Sequence, residues 1–557
     1  MTTRDAARPP IIWFIGGLDT AGGAGLSADQ RAADALGAHA CPIAACLTAQ
    51  HSQGVAVVQP VATDMLEAQL LALAEDMPPE VIKTGLLGSV DTIERIAAWV
   101  DRLRASRGDG RPALVVDPVL RASAGGAAFS NEAIVAAYRQ HLLPRATVIT
   151  PNRAEARQLL AWPDDAVMDA PAMSRAFLAH GCGSVLITGG DGRELPPDNH
   201  HSVDWLHTPQ THGWLCAPRV DTPHHHGTGC TLASAIAAAL ALGHHAADAC
   251  VLGRMVVHHA LMHSHPAGHG RGPVIARPDA LVGVRHGGAP MPWLGIGTDW
   301  PWRLQADDSD GDTAARDFAP FPAPRDGLYG IRADGPAVAA SVEAGLRCVQ
   351  LRHKPHAGLA DAIAQSLQAA SQHGASLFIN DHWEAALQTP LPAQPATGFA
   401  LGVHLGQEDL QALTPEQTQH LRARRGQLML GLSSHCPWEL ARALGCGPSY
   451  VACGPVQATT TKDMPWVPQG ATNLRWWVAQ SDLPVVAIGG LLTADDLRRF
   501  SHAGAAALCV VRALDGPTAT LPERLRTLRT ALSDRAKPGD GTANTPFGIA
   551  PHPCLPP

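Results

Sequence analysis

The chain has 557 residues, of which 46% are hydrophobic and 17% charged, with mean hydropathy −0.01. Those values exclude a disordered scaffold and, at this length, predict at least two globular domains. A net charge of −8 and a pI near 6.4 argue against a nucleic-acid binder, since only Arg422, Arg424 and Arg425 cluster.

Twelve cysteines lie scattered, without a CxxC pair or a framework of short spacings, which predicts a reduced compartment. The N-terminus carries only a short apolar run, and no run reaches membrane-spanning length. A soluble, cytoplasmic protein is expected, with no nucleic-acid or membrane partner. A homo-oligomer is compatible with the sequence but not fixed by it.

Over 11–286, short apolar runs alternate with amphipathic or Ala-rich stretches. The runs are 11–17, 38–50, 80–88, 113–120, 147–151 and 184–190. Runs apolar at nearly every position suit strands covered on both faces, so a mostly parallel sheet is expected. Trp205-Leu-His and Trp214-Leu-Cys flank a short polar gap and predict an antiparallel edge hairpin. The loop Gly16-Gly-Leu-Asp-Thr-Ala-Gly-Gly-Ala-Gly25 follows the first strand, but its spacing fits a dinucleotide fingerprint poorly.

His226-Gly-Thr-Gly-Cys230 opens a long Ala/Leu-rich helix. Gly227 and Gly229 would let successive N–H groups converge at the positive end of that helix, which is a cradle for phosphate. An ordinary glycine turn before a small-residue core helix is the alternative, and this stretch alone does not decide. At a helix start the Cys230 thiol is expected to have a lowered pKa and could act as base or nucleophile; a small buried residue is again the alternative. His258, His259, His263, His265 and His269 offer no consistent Cys or carboxylate partner and are expected to decorate a domain end rather than bind metal.

The motifs of this half occur in a fixed order. They are the glycine loop through Asp29, Leu47-Thr-Ala-Gln50, Ile82-Lys-Thr-Gly-Leu-Leu-Gly88, Val116-Asp-Pro-Val119, Ile149-Thr-Pro-Asn152 through Glu155, and His226 to Cys230. Together they resemble the hydroxymethylpyrimidine/phosphomethylpyrimidine kinases of the ribokinase-like superfamily. The resemblance implies an αβα sandwich that phosphorylates hydroxymethylpyrimidine twice with ATP. It further implies that Asp29 and Gln50 bond the aminopyrimidine, with Leu86 and Val119 packing near it. Asn152 and Glu155 would organise Mg²⁺ and phosphate water, and Gly227, Thr228, Gly229 and Cys230 would hold the transferring phosphoryl group. Cys230 stands where sugar kinases carry Asp, which speaks for a pyrimidine substrate. Leu86 replaces the Met of many relatives at similar volume.

Between 287 and 325 periodicity gives way to Pro, Gly, Asp and isolated Trp, which predicts a linker; Trp293, Trp300 and Trp302 suggest that part of it packs on a domain. The segment 536–557 is expected to be a flexible tail.

Eight apolar runs then follow over 326–535, namely 327–333, 346–352, 376–381, 400–405, 427–433, 450–456, 485–490 and 507–512. That is the pattern of a (β/α)₈ TIM barrel, and the polar residues fall at the carboxyl ends of the runs, where such a barrel keeps its site. Arg352, Lys354 and Lys462 offer positive charge for a diphosphate. Asp381 and Asp409 offer hard oxygen ligands for Mg²⁺, although Asp409 could simply cap a helix. Gly489-Gly490 could supply backbone donors or be a plain turn.

The motifs Val349-Gln-Leu-Arg-His-Lys354, Ile379-Asn-Asp381, Val403-His-Leu-Gly-Gln-Glu-Asp409, Gly431-Leu-Ser433, Gly454-Pro-Val456, Thr459-Thr-Thr-Lys462 and Ala487-Ile-Gly-Gly490 resemble those of thiamine-phosphate synthase. The resemblance implies that Gln350, Leu351, Arg352, His353, Lys354, Asn380, Ser433 and Lys462 bind the aminopyrimidine diphosphate. By the same resemblance, Asp381 and Asp409 bind Mg²⁺, and Thr459, Thr460, Thr461, Gly490, Val511 and Arg512 hold thiazole phosphate. His353 stands where Glu is usual, Arg512 where Ser is common, and 390–395 looks inserted. The implied reaction is displacement of pyrophosphate by the thiazole nitrogen, in which prior ionisation to a pyrimidine-stabilised cation suits a site rich in cations and poor in bases. A sensor without turnover is the rival from another class, and the intact set of polar residues speaks against it.

Overall fold

The computed structural model describes residues 8–121, 129–163, 169–189, 200–305, 317–354, 357–459, 465–535 and 551–555. Thr460, Thr461 and Lys462 lie outside the described residues. The chain divides into two compact units, the described residues up to 300 together with 551–553, and those from 301 to 535 together with 554 and 555.

The first unit is built on ten strands: β1 (Ile11–Leu18), β2 (His39–His51), β3 (Gly54–Pro60), β4 (Val81–Thr84), β5 (Ala113–Val116), β6 (Val148–Ile149), β7 (Val185–Thr188), β8 (His201–His207), β9 (His212–Pro218) and β10 (Trp293–Leu294). They form one sheet in the order β10-β9-β8-β7-β6-β5-β4-β1-β2-β3. The run from β2 to β7 is parallel, and the pairs β2–β3, β7–β8, β8–β9 and β9–β10 are antiparallel. β4 is buried at every position and β1 at all but its last, so helices cover both faces, as the unbroken apolar runs predict.

Two strands depart from the sequence reading. β3 carries the apolar run Val55-Ala-Val-Val58, which the sequence reading passes over; it is half-buried to exposed along its length and pairs antiparallel with β2. β10 falls in the stretch expected to be linker. Trp293 and Leu294 pair with Cys216 and Leu215, and Trp300 stacks on Trp214 at 4.6 Å between ring centroids. The aromatic side chains give this Pro- and Gly-rich stretch enough apolar surface to bury, so it completes the sheet edge instead of remaining solvated.

The second unit is a closed parallel barrel of β11 (Leu328–Arg332), β12 (Cys348–Leu351), β13 (Ser376–Asn380), β14 (Ala400–Leu405), β15 (Met429–Ser434), β16 (Tyr450–Cys453), β17 (Val485–Ala487) and β18 (Ala507–Val510), with β18 returning to β11. This is the expected (β/α)₈ barrel. Its inward layer is aromatic, with the rings of Tyr329, Phe378 and Tyr450 in mutual contact. Phe321 packs onto all three from the segment before β11. Phe318 N and Ala319 N donate to Gly447 O and Leu428 O, so residues 317–321, also expected to be linker, close the end of the barrel where strands begin. In the expected tail, Cys554 is buried beside Gln469 and Asn473.

Candidate active sites

A cleft of about 1360 Å³ opens in the first unit beyond the carboxyl ends of β1, β2, β4, β5 and β6, the usual place for ligands in an open parallel sheet. Asp29, Gln50, Leu86, Val119, Asn152, Glu155, Gly227, Thr228, Gly229 and Cys230 all line it. It thus gathers every site residue that the sequence analysis assigns to this half.

Two glycine-bearing loops meet at its floor. Gly227, the N-cap of the helix Thr228–Ala241, has φ 86°, and a Cβ there would lie 2.1 Å from Gly23 O. Both the backbone conformation and the close approach demand glycine. Asp19 holds the first loop closed: its carboxylate accepts from Ala21 N, Gly23 N and Ala24 N. His226 Nε2 lies 3.0 Å from the same carboxylate, so one imidazole links the loop 226–230 to the glycine loop, and it stands 3.4 Å from Gln50 Nε2.

Behind the cleft sits a buried charge cluster. Lys83 Nζ is 2.9 Å from Asp29 Oδ1 and 3.4 Å from Asp117 Oδ2, and Ser234 Oγ donates to Asp29 Oδ1 at 2.7 Å. Burial alone would lower the Lys83 ammonium, but Asp29, Cys230 and Asp117 around it outweigh burial and hold it above the usual lysine range. Asp29 Oδ2 has no hydrogen-bond partner within the protein. A buried carboxylate oxygen left open in a cleft is an acceptor for an amino group.

Cys230 corrects the sequence expectation of a lowered pKa. Its thiol is pushed up to about 12 by burial, with Asp117 and Asp29 adding to the rise and Lys83 opposing it. The helix-start field is local, and loss of water beside two carboxylates dominates it. Asn152 and Glu155 form a capping box at the helix Arg153–Leu160: Asn152 Oδ1 accepts from Glu155 N and Glu155 Oε2 accepts from Asn152 N, both at 2.9 Å. Burial, then Asp117, push the Glu155 carboxyl up to about 8. Asp19, Lys83, Asp117 and His226 carry no assigned role in the sequence reading; the side-chain partners that join them, Asp19 with His226 and Lys83 with Asp29 and Asp117, lie too far apart along the chain for a local motif to show them.

In the barrel the expected residues collect at the carboxyl end. Gln350 and Leu351 close β12, with Arg352, His353 and Lys354 following; Asn380 ends β13 with Asp381 next, and Ser433 stands near the end of β15. Thr459, Gly490, Val511 and Arg512 follow β16, β17 and β18. The ring nitrogens of His353 lie 3.2 Å from Ala333 O and 3.1 Å from Ala357 O, and whichever nitrogen carries the proton donates to its carbonyl, so the residue that replaces Glu braces its own loop.

Asp381 takes φ 62°, a left-handed conformation that Asp tolerates better than most residues. Its carboxyl is pushed above the usual range by burial and by Asp409, against the pull of Arg352. Asp409 Oδ2 also accepts from Gly406 N at 3.0 Å, so the helix-cap alternative for Asp409 is realised while its charge still bears on Asp381. Two carboxylates in mutual repulsion suit a divalent cation that would take its other ligands from a diphosphate and water.

Comparison with known proteins fits this geometry. A model of the phosphomethylpyrimidine kinase family matches residues 19–275, and one of the thiamine monophosphate synthase family matches 332–514. The probable thiamine biosynthetic bifunctional enzyme, chloroplastic, of Oryza sativa subsp. japonica is 30% identical over 487 residues, covering 86% of this chain and 81% of that protein. The chain belongs to the family of bifunctional thiamine-biosynthetic enzymes. Its first unit is the kinase part, ribokinase-like in fold, and its second the thiamine-phosphate synthase part; both are transferases. The hydroxymethylpyrimidine/phosphomethylpyrimidine kinase of Synechococcus elongatus is 40% identical over 268 residues, 48% of this chain and 96% of that one. A solved structure of pyridoxal kinase from Staphylococcus aureus in complex with AMP-PCP and pyridoxal is 28% identical, covers 48% of this chain and 93% of that chain, and has a TM-score of 0.42.

Among the described residues no helix is long and apolar enough to cross a membrane. Nor do they contain a group of three or more His, Cys, Asp or Glu that could hold a metal; His259 and His263 stack at 4.1 Å between ring centroids.

Proposed function

We propose that the first unit phosphorylates 4-amino-5-hydroxymethyl-2-methylpyrimidine to its monophosphate and then its diphosphate with ATP, and that the second joins the diphosphate to thiazole phosphate, releasing pyrophosphate. The observation that carries the kinase half is one cleft lined by Asp29 with its open carboxylate oxygen, by Gln50, and by Gly229 and Cys230 in the first turn of the helix Thr228–Ala241. Asp29 and Gln50 hold the aminopyrimidine, and Leu86 and Val119 flank it. The loop 227–230 receives the transferring phosphoryl group at the helix start. Asn152 and Glu155 are placed to hold water on Mg²⁺. Phosphoryl transfer asks mainly for positioning and charge neutralisation, so a neutral Cys230 thiol at the cradle does not weaken this reading.

In the second unit Gln350 to Lys354, Asn380, Ser433 and Lys462 bind the pyrimidine diphosphate. Thr459 to Thr461, Gly490, Val511 and Arg512 take the thiazole phosphate. The carboxyls of Asp381 and Asp409 fit Mg²⁺, which when bound neutralises the leaving diphosphate. The chain works on small molecules in a reducing compartment, and we place it in the cytoplasm. Incubating the purified protein with the hydroxymethylpyrimidine, ATP, Mg²⁺ and thiazole phosphate tests the whole reading. Thiamine phosphate and pyrophosphate are expected in equal amounts, and their absence with both substrates intact would overturn it.

A further inference from the structure

Six side chains from six successive barrel strands form one continuous hydrogen-bonded chain across the barrel interior. Ser433 Oγ lies 2.9 Å from His404 Nε2, and His404 Nδ1 lies 2.8 Å from Tyr450 Oη. Tyr450 Oη is 2.8 Å from Tyr329 Oη, which donates at 2.9 Å to Gln350 Oε1. Gln350 Nε2 donates at 2.8 Å to Asn380 Oδ1. Tyr329 and Tyr450 are each 1% exposed, Gln350 2% and His404 5%. Gly431, inside β15, makes room for the middle of the chain: a Cβ there would lie 2.4 Å from Tyr450 Oη and 2.6 Å from His404 Nδ1.

The proton positions follow by counting. A carboxamide oxygen only accepts and its nitrogen only donates, while a tyrosine hydroxyl has one proton to give. Tyr329 gives its proton to Gln350, so between the two tyrosines Tyr450 is the donor. Tyr450 must then accept from His404, which places the imidazole proton on Nδ1 and leaves Nε2 as an acceptor. Ser433 therefore gives its proton to His404. At one end of the chain Ser433 Oγ keeps only lone pairs for a ligand. At the other end the bond from Gln350 fixes which end of the Asn380 carboxamide is the oxygen, and leaves its NH₂ to donate.

We propose that the chain Ser433–His404–Tyr450–Tyr329–Gln350–Asn380 is a proton-ordered positioning device that makes Ser433 an obligate acceptor and orients Asn380 to present its NH₂ toward the pyrimidine. An aminopyrimidine carries the matching pattern, with an exocyclic amino group that donates and ring nitrogens that accept. A 4-oxo pyrimidine presents an acceptor where the amino group donates, and would leave a buried polar group unsatisfied. His404, Tyr450 and Tyr329 touch no ligand in this scheme; they set the specificity of residues that do. The recognition step rests on the assignment of Ser433 and Asn380 to the pyrimidine, whereas the proton order does not.

Two measurements on the full chain separate these steps. In ¹⁵N-histidine-labelled protein, with the His404 ring signals assigned by their loss in His404→Asn, Nδ1 is expected to show the protonated shift and Nε2 the acceptor shift. In Tyr450→Phe, His404 should gain Nε2–H tautomer because the proton order is broken. A wild-type Nε2–H tautomer would overturn the proposal whatever the substrate results. The second measurement is the ratio of kcat/KM for the 4-amino over the 4-oxo pyrimidine diphosphate, in wild type, Tyr450→Phe and Tyr329→Phe. The ratio is expected to fall by about tenfold or more in both variants, mainly through KM. A purely structural role would slow both substrates alike and leave the ratio unchanged. An unchanged ratio with the Nδ1–H tautomer in place would also overturn the proposal, and would locate the fault in the pyrimidine contacts assigned to Ser433 and Asn380.

Discussion

Lys83 Nζ stands 2.9 Å from Asp29 Oδ1 with the two side chains 0% and 1% exposed, so the residue assigned to hold the pyrimidine is itself held by an ammonium that never meets water. Removing one member of such a pair leaves an uncompensated buried charge, which typically costs about 3–5 kcal/mol. Lys83→Met is therefore expected to destabilise the first unit by about that much, with Asp29 and Asp117 both left facing apolar surroundings. Lys83→Met combined with Asp29→Asn should cost less than the two single changes added together. Denaturant unfolding of the three variants checks this, and strict additivity would mean that the pair does not interact.

Cys230, with its thiol near 12, is a neutral S–H at pH 7, on the order of one thiolate in 10⁵. Alkylation by iodoacetamide in the ligand-free protein should be slow at pH 7 and rise steadily toward pH 10 without a plateau. Rapid modification at neutral pH would show instead that the cradle lowers the thiol. Cys230→Ala is expected to slow pyrimidine phosphorylation by roughly 10²-fold or more through loss of a group in the phosphoryl cradle, while condensation of supplied diphosphate persists. Wild-type kinase rates in the variant would remove Cys230 from the reaction.

Glu155 gives the first unit a pH signature. Its carboxyl titrates near 8 in the fold against an ordinary value of 4.5, so the folded state retains a proton that the unfolded chain releases. The resulting stabilisation is fully present below about pH 4.5 and is lost as pH rises through about 8. Melting of the first unit should fall by about a few degrees more between pH 6 and pH 9 in wild type than in Glu155→Gln, which cannot titrate. Parallel pH profiles for the two proteins would show that the capping box holds Glu155 ionised throughout.

Asp381 and Asp409 should separate by their response to metal. Asparagine tolerates the left-handed backbone at 381, so Asp381→Asn removes charge without adding strain. The Mg²⁺ concentration for half-maximal condensation is expected to rise about tenfold or more in Asp381→Asn and in Asp409→Ala, with kinase activity unchanged. Unaltered Mg²⁺ titrations in both variants would remove the pair as ligands.

Much of this architecture is legible without coordinates because buried parallel strands write themselves as unbroken apolar runs. Fourteen such runs locate all eight barrel strands and six strands of the first sheet. β3 escapes although Val55-Ala-Val-Val58 is apolar, because that run follows β2 after only Ser52 and Gln53 and merges with it in the sequence, while the fold turns it back as an antiparallel, half-exposed edge strand. The buried polar groups escape for a different reason. Lys83 sits in an apolar run and reads as an ordinary strand residue, and Asp29 is 54 positions away. His404 finds Tyr450 46 positions on, so neither ring announces the other. Cys230 shows the limit of local argument even where the residue is found: the helix start predicts a lowered thiol, and burial in the fold, with two carboxylates adding to it, reverses that.

The boundary between the units yields the last prediction. A first fragment ending at 286 would discard Trp293 and Leu294 from the sheet edge, along with the stack of Trp300 on Trp214 and the bond from Trp214 Nε1 to Thr298 O. Burying an aromatic ring of this kind contributes about 1.5–3 kcal/mol, with about 0.5–1.5 more from the ring pair. A barrel fragment starting at 326 would likewise lose Phe321, whose ring lies 4.9 Å from that of Tyr450, and would leave a cavity under Tyr329 and Phe378. Loss of a buried Phe side chain costs about 3–5 kcal/mol. Fragments 1–300 and 301–557 are therefore expected to fold cooperatively and to phosphorylate and condense, respectively, when purified alone. Fragments 1–286 and 326–557 should melt several degrees lower or fail to fold. Equal melting of the short and long versions of either half would show that the aromatic segments add nothing. Inactivity of both long fragments, rescued on mixing, would show that each site depends on the other unit.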